Sequence, residues 1–138
     1  MHAEIWRYTT AKAMLRLAND GLIGIQVIGL VGAGDLALMR RDAVIAMGLP
    51  GARAMLVDFR RASILFGNNN VPLPDAPIPP ALAGMPVAIV CSEVDEDLFL
   101  THAWHQARAG LTRAVFTDPA AASAWALQRA GGSSAWVP

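Results

Sequence analysis

Gly32-Ala33-Gly34-Asp35-Leu36-Ala37 matches the pattern G-x-G-x-x-G/A. A tight glycine turn of that form lets backbone amides and a helix N-terminus approach a pyrophosphate. Asp58 lies about 20 residues further on, where a ribose-binding carboxylate belongs. Arg60 and Arg61 beside it suit a 2′-phosphate. Gly32, Gly34 and Asp58 therefore form a candidate nucleotide site. Asp35 opposes it, because it sets a carboxylate in the turn that must receive an anion.

A second set crowds the region after Asp58. Arg60, Arg61, Ser63, Asn68, Asn69 and Asn70 offer cations, a hydroxyl and amides. These can bind an anion or a protein partner, or remain a solvated loop. His102 and His105 stand three apart, with Glu93, Asp95 and Asp97 upstream. Two helical histidines can share a metal, but no third ligand is evident, and a solvated helix face is the simpler reading. Cys91 is the single cysteine, which excludes an intrachain disulfide. It reads as a small core residue. Trp6 and Trp136, near the termini, suit either packing or an interface anchor.

The elements that must position these residues alternate. Ala13–Leu17 has the period-2 pattern of a half-buried strand and Leu22–Leu30 is rich in Ile and Val. Asp20-Gly21 between them signals a hairpin. A helix follows over Asp35–Met47, ended by Gly48 and Pro50, then a short strand over Arg53–Phe59. Ala62–Gly84 carries three asparagines and repeated prolines. It reads as a long surface excursion with a short helical turn near Ile64–Phe66 or Pro80–Ala83. Pro86–Cys91 is a strand, Glu96–Ala109 a helix and Arg113–Thr117 the last strand. Asp118-Pro119 caps a final helix over Ala120–Ala130. Gly131–Pro138 reads as a loose tail and His2 as outside the ordered structure. The chain is then a single α/β domain over 1–138. Its sheet is expected to be mostly parallel, with four to five strands, an N-terminal antiparallel hairpin and three to four covering helices.

Composition narrows the function. The 138 residues are 54% hydrophobic and 16% charged, with zero formal net charge. The apolar excess argues against disorder. It fits an alanine-rich chain, or a homo-oligomer in which a second copy covers one face. No basic stripe points to nucleic acid. The longest apolar run, 21–31, is too short to span a bilayer, and the N-terminus lacks a signal pattern. The expected location is the cytoplasm.

Several phrases share an order with one known family. They are Gly21-Leu22-Ile23-Gly24-Ile25 leading to Gly29, Gly34-Asp35-Leu36, and Met55-Leu56-Val57-Asp58-Phe59-Arg60. Pro86-Val87-Ala88-Ile89-Val90 and Ala114-Val115-Phe116-Thr117-Asp118-Pro119-Ala120-Ala121 follow, closed by Ala124-Trp125. From about Lys12 to Leu127 the chain resembles the SpoIIAA-like proteins, relatives of the STAS domains of anti-sigma-factor antagonists. The resemblance implies a helix-covered sheet and usually no enzyme activity, and no cofactor is expected. Antagonists of this kind carry an Asp-Ser-Ser-Gly phosphorylation motif after the central strand. Here that region reads from Asp58 to Gly67 with Ser63 as the lone serine, so the motif is missing. The resemblance therefore implies a regulatory or ligand-binding domain. It would bind a partner protein or a small apolar ligand near the C-terminal end of the sheet, around Asp58–Asn70. The nucleotide site remains the alternative, and a homodimeric structural module a third.

Overall fold

A computed structural model describes residues 2–65 and 79–131. The strands are β1 (His2–Arg7), β2 (Ala11–Leu17), β3 (Leu22–Val31), β4 (Ala54–Ile64), β5 (Val87–Val90) and β6 (Arg113–Phe116). The helices are α1 (Ala33–Met47), α2 (Glu96–Arg108) and α3 (Pro119–Gly131), with single 3₁₀ turns at Pro80–Leu82 and Glu93–Asp95. The sheet order is β1-β2-β3-β4-β5-β6. The first two pairings are antiparallel and the remaining three are parallel.

The α/β class, the hairpin and the three helices match the reading from sequence, but the strand count does not. Among the described residues the sheet is mixed, with six strands rather than four to five. The extra one is β1, so His2 belongs to a strand, where its ring contacts the Glu4 carboxylate. β1 lacks an apolar run because it is an edge strand, with nearly every residue exposed. It is held by regular pairing from His2–Leu17 to Arg7–Lys12.

Glycine makes the tight joins. Gly21 closes the β2–β3 hairpin at φ +90°, and Asp20 Oδ1 accepts the Leu22 amide at 3.1 Å. Gly29 sits at φ +110°, and a Cβ there would lie 2.6 Å from the Thr10 carbonyl oxygen. Backbone from the β1–β2 turn can cross close to β3 at this one place.

β4 also runs further than expected, to Ile64 rather than Phe59. β3 continues to Val31 and pairs with it, Gly29 opposite Ala62 and Val31 opposite Ile64. Between Gln26–Asp58 and Ile28–Arg61 the register shifts, so Phe59 and Arg60 together oppose Val27. This is a bulge, which admits one extra residue while keeping both flanks paired. Asp58–Ile64 is therefore strand rather than loop. Asn68, Asn69 and Asn70 lie outside the described residues, as do Trp136 and the expected tail beyond Gly131.

Alternation along the strands sorts side chains between two layers. Met55, Val57 and Phe59 face α1 and α2, with Leu15, Ile25 and Val27 beside them. Ala54 and Leu56 face α3, with Ala88 and Val90. α3 is seated by its cap and by one aromatic pair. Asp118 accepts the Ala120 amide at 3.4 Å and the Ala121 amide at 3.1 Å. Phe116 and Trp125 meet with ring centroids 5.8 Å apart.

Candidate functional site

α1 and α2 lie on the same face of the sheet, and a cavity of about 110 Å³ runs between them above the central strands. Its floor is Val57, Phe59 and Ile89, and α1 contributes Leu36, Met39 and Ala43. From α2 come Phe99, His102 and Gln106. Phe59 stacks on Phe99 with centroids 4.8 Å apart. The lining is apolar apart from a few groups: Arg40 on α1, His102 and Gln106 on α2, and Arg113 at the start of β6. Arg113 Nη1 donates to the Met85 carbonyl at 3.2 Å and the Thr112 carbonyl at 2.9 Å, which ties it to backbone. Trp6 of β1 also reaches the cavity, so the strand that sequence reading omitted supplies one wall.

Phe99, Ala103 and Gln106 follow one another at i, i+4 and i+7 and are all buried, forming the inner stripe of α2. A glutamine in an apolar slot of that stripe is the signal by which sequence could have found this site. His102 stands one turn before Gln106 on the same side. The side chain of His105 lies outside the described residues.

Of the residues singled out from sequence, Trp6 and His102 line the cavity, and the candidate ligand-site residues lie elsewhere. Asp58, Arg60, Arg61 and Ser63 do not line the cavity. Asp58 points to the opposite face and is only 8% exposed. Arg60 Nη2 donates to its Oδ2 at 2.8 Å and the Arg60 amide to its Oδ1 at 3.0 Å. Burial pushes the Asp58 carboxyl up, but the Arg60 side-chain and backbone hydrogen bonds with the guanidinium charge outweigh it. The carboxyl is held below its ordinary range. Arg60 is raised in turn, first by its hydrogen bond to Asp58 and by that residue's charge. Arg61 and Ser63 are exposed further along β4.

At the glycine turn, Gly32 is the N-cap of α1 with extended backbone, and its carbonyl accepts the Leu36 amide at 3.0 Å. Neither Gly32 nor Gly34 has a neighbour within 4 Å of where a Cβ would stand. Asp35 is buried in the first turn and accepts a 3.3 Å hydrogen bond from the Thr10 hydroxyl. A carboxylate thus occupies the helix entrance, and Asp58 is already engaged by Arg60.

Cys91 is wholly buried at the end of β5, and burial, with Glu96 and Asp95 nearby, pushes its thiol up to about 11. A thiol so placed is a core residue. Tyr8 donates to Asp42 Oδ2 at 2.7 Å, tying the β1–β2 turn to α1. Burial and that hydrogen bond raise its phenol above the ordinary value.

A solved structure shares this architecture. It is a protein of the DUF3478 family from Shewanella loihica PV-4, described as having a SpoIIAA-like fold. The two superpose with a TM-score of 0.50 at 14% identity, over 87% of this chain and 96% of the other. The fold is SpoIIAA-like. No family model matches the sequence, and no curated protein matches it. The SpoIIAA-like likeness therefore rests on shape together with the ordered phrases of the sequence. Among the described residues, no helix is long and apolar enough to cross a membrane.

Proposed function

We propose that this chain is a non-enzymatic SpoIIAA-like domain that takes a small apolar ligand between α1 and α2. One observation carries the reading: a half-open cavity of about 110 Å³, walled mainly by aliphatic and aromatic side chains, against the buried core. An apolar cavity of about 150 Å³ can stay dry and accept benzene. Typical ligand sites hold roughly 300–1,000 Å³. The volume here thus suits one ring or a short alkyl segment and is far too small for a dinucleotide. The buried Asp35 and the engaged Asp58 also favour this reading over the nucleotide alternative.

Titration with toluene, followed by amide resonances, tests it. The expected result is saturable shifts confined to α1, α2 and the strands beneath them. Ala43→Leu, which places extra carbons in the cavity, should abolish those shifts and leave the fold intact. Absence of saturable binding by the unaltered protein at millimolar toluene would remove the reading.

A further inference from the structure

Cations scattered through the sequence converge on one face of the sheet. Trp6, Ala13, Ile25 and Val27 point into the cavity, so the residues alternating with them point the other way. On that other face α3 packs chiefly over β4, β5 and β6. The β1–β3 half is uncovered among the described residues. Strand pairing sets its layout. Ile5 stands opposite Met14, and Arg7 opposite Lys12. Gly24, Gln26 and Ile28 stand opposite Arg16, Met14 and Lys12. Past the bulge, Arg61 stands opposite Ile28 and Ser63 opposite Leu30. Ile5, Met14, Ile28 and Leu30 thus form an oblique apolar row across three strands, with Ile5 58% and Leu30 46% exposed. Arg7 and Lys12 lie on one side of the row, and Arg16, Arg60 and Arg61 on the other. All five are exposed. Arg7, Lys12, Arg16 and Arg61 make no ion pair among the described residues. The carboxylate of this face, Asp58, is held by Arg60, and Asp118 stands near Arg60 at the head of α3. Like charges directly opposite, as in Arg7 and Lys12, destabilise a strand pair on their own.

We propose that this face docks an acidic amphipathic helix of a partner protein. The helix sets its apolar stripe on Ile5, Met14, Ile28 and Leu30 and its carboxylates against the cations on both sides. An amphipathic helix carries such a stripe with charged flanks. From Ile5 to Leu30 the row spans roughly 16 Å by strand spacing and rise, about three helical turns. A helix there would lie beside α3 and complete the layer that α3 begins. Single-stranded nucleic acid calls for aromatic rings on which bases stack, and the residues of this face are aliphatic or polar. A second copy would set the same cations against one another. An anionic bilayer spreads its charge evenly rather than along two lines beside an apolar stripe. The site lies across the sheet from the cavity, and neither needs the other.

The probe is an alanine-rich helical peptide of roughly fifteen residues, long enough to hold some helix alone. It carries leucine at i, i+4, i+7 and i+11 and glutamate on both sides of that stripe. A scrambled peptide of the same composition is the control. Resonance titration of the whole protein should give saturable amide shifts over β1, β2, β3 and the far half of β4. Affinity should fall as salt rises. The scrambled peptide should bind at least about tenfold more weakly, because it keeps the charge and loses the stripe. Lys12→Glu with Arg16→Glu should weaken binding by about tenfold or more, whereas Arg129→Glu on α3 should leave it unchanged. The shift map, the salt dependence and the scrambled control need no variant and stand even where the double variant does not fold. No binding at millimolar peptide, equal binding of the two peptides, or shifts confined to α1 and α2 overturns the proposal. Full affinity in a folded double variant also overturns it. Tighter binding of an oligothymidine or of phosphatidylglycerol vesicles than of the patterned peptide, or a dimer joined through this face, overturns the choice of occupant.

Discussion

Phe59 of β4 and Phe99 of α2 stack at 4.8 Å, and both rings line the cavity. The strand and the helix therefore share one aromatic wall. A change to either ring alters the cavity and the core at once, because both side chains are buried in the same cluster.

Phe99→Ala should lower stability by about 3–5 kcal/mol, the range for truncating a buried aromatic. Equilibrium urea unfolding measures this. The enlarged cavity should also accept larger rings, so naphthalene should bind the variant and not the parent. A loss below about 1 kcal/mol would show that α2 is not anchored through this ring.

The Asp58 carboxyl has a folded value below its usual 3.8. A depressed carboxylate adds stability that is present above the unfolded value and is lost as pH falls through the folded one. Asp58→Asn should therefore cost roughly 0.5–1 kcal/mol at neutral pH, a modest figure because Arg60 is partly solvated. That difference should shrink toward zero between about pH 5 and pH 2. Urea titrations of both proteins at pH 7 and pH 3 give the two differences. Equal differences at the two values would show that the ion pair contributes nothing.

Asp118→Ala removes two hydrogen bonds from the first turn of α3 and should cost about 1 kcal/mol. Asp118→Asn should recover most of it, since an amide oxygen also caps. Trp125 fluorescence reports the transition, because its ring packs on Phe116 within the same layer. An unchanged midpoint in Asp118→Ala would mean that packing alone seats the helix.

The parts of the fold legible in the sequence are those written in local chemistry. Asp20-Gly21, Gly48 and Asp118-Pro119 each specify a turn or helix end within a few residues, and each lies where expected. β1 was hidden because its residues are exposed and its order comes from pairing with β2. The far half of β4 was hidden for a similar reason: Arg60 to Ser63 are polar or small and are held by β3 and the bulge. The cavity depends on how α1 and α2 share one face of the sheet, which no short pattern encodes. The sequence drew attention to charged residues around Asp58, whereas the cavity is built from residues that read as ordinary core. Arg40, His102, Gln106 and Arg113 are the polar exceptions in that lining.

The strict β1-β2-β3-β4-β5-β6 order has a consequence for how the molecule assembles. Each strand docks beside the one synthesised just before it, and no strand waits for a later one to slip between it and its neighbour. Each closure joins neighbours in sequence, so none has to span an intervening strand. A chain emerging from the ribosome can thus extend its sheet from one side only, with Phe116 and Trp125 completing the layer last. The growing edge is always the newest strand, and a stalled or truncated chain would present that edge to the next one.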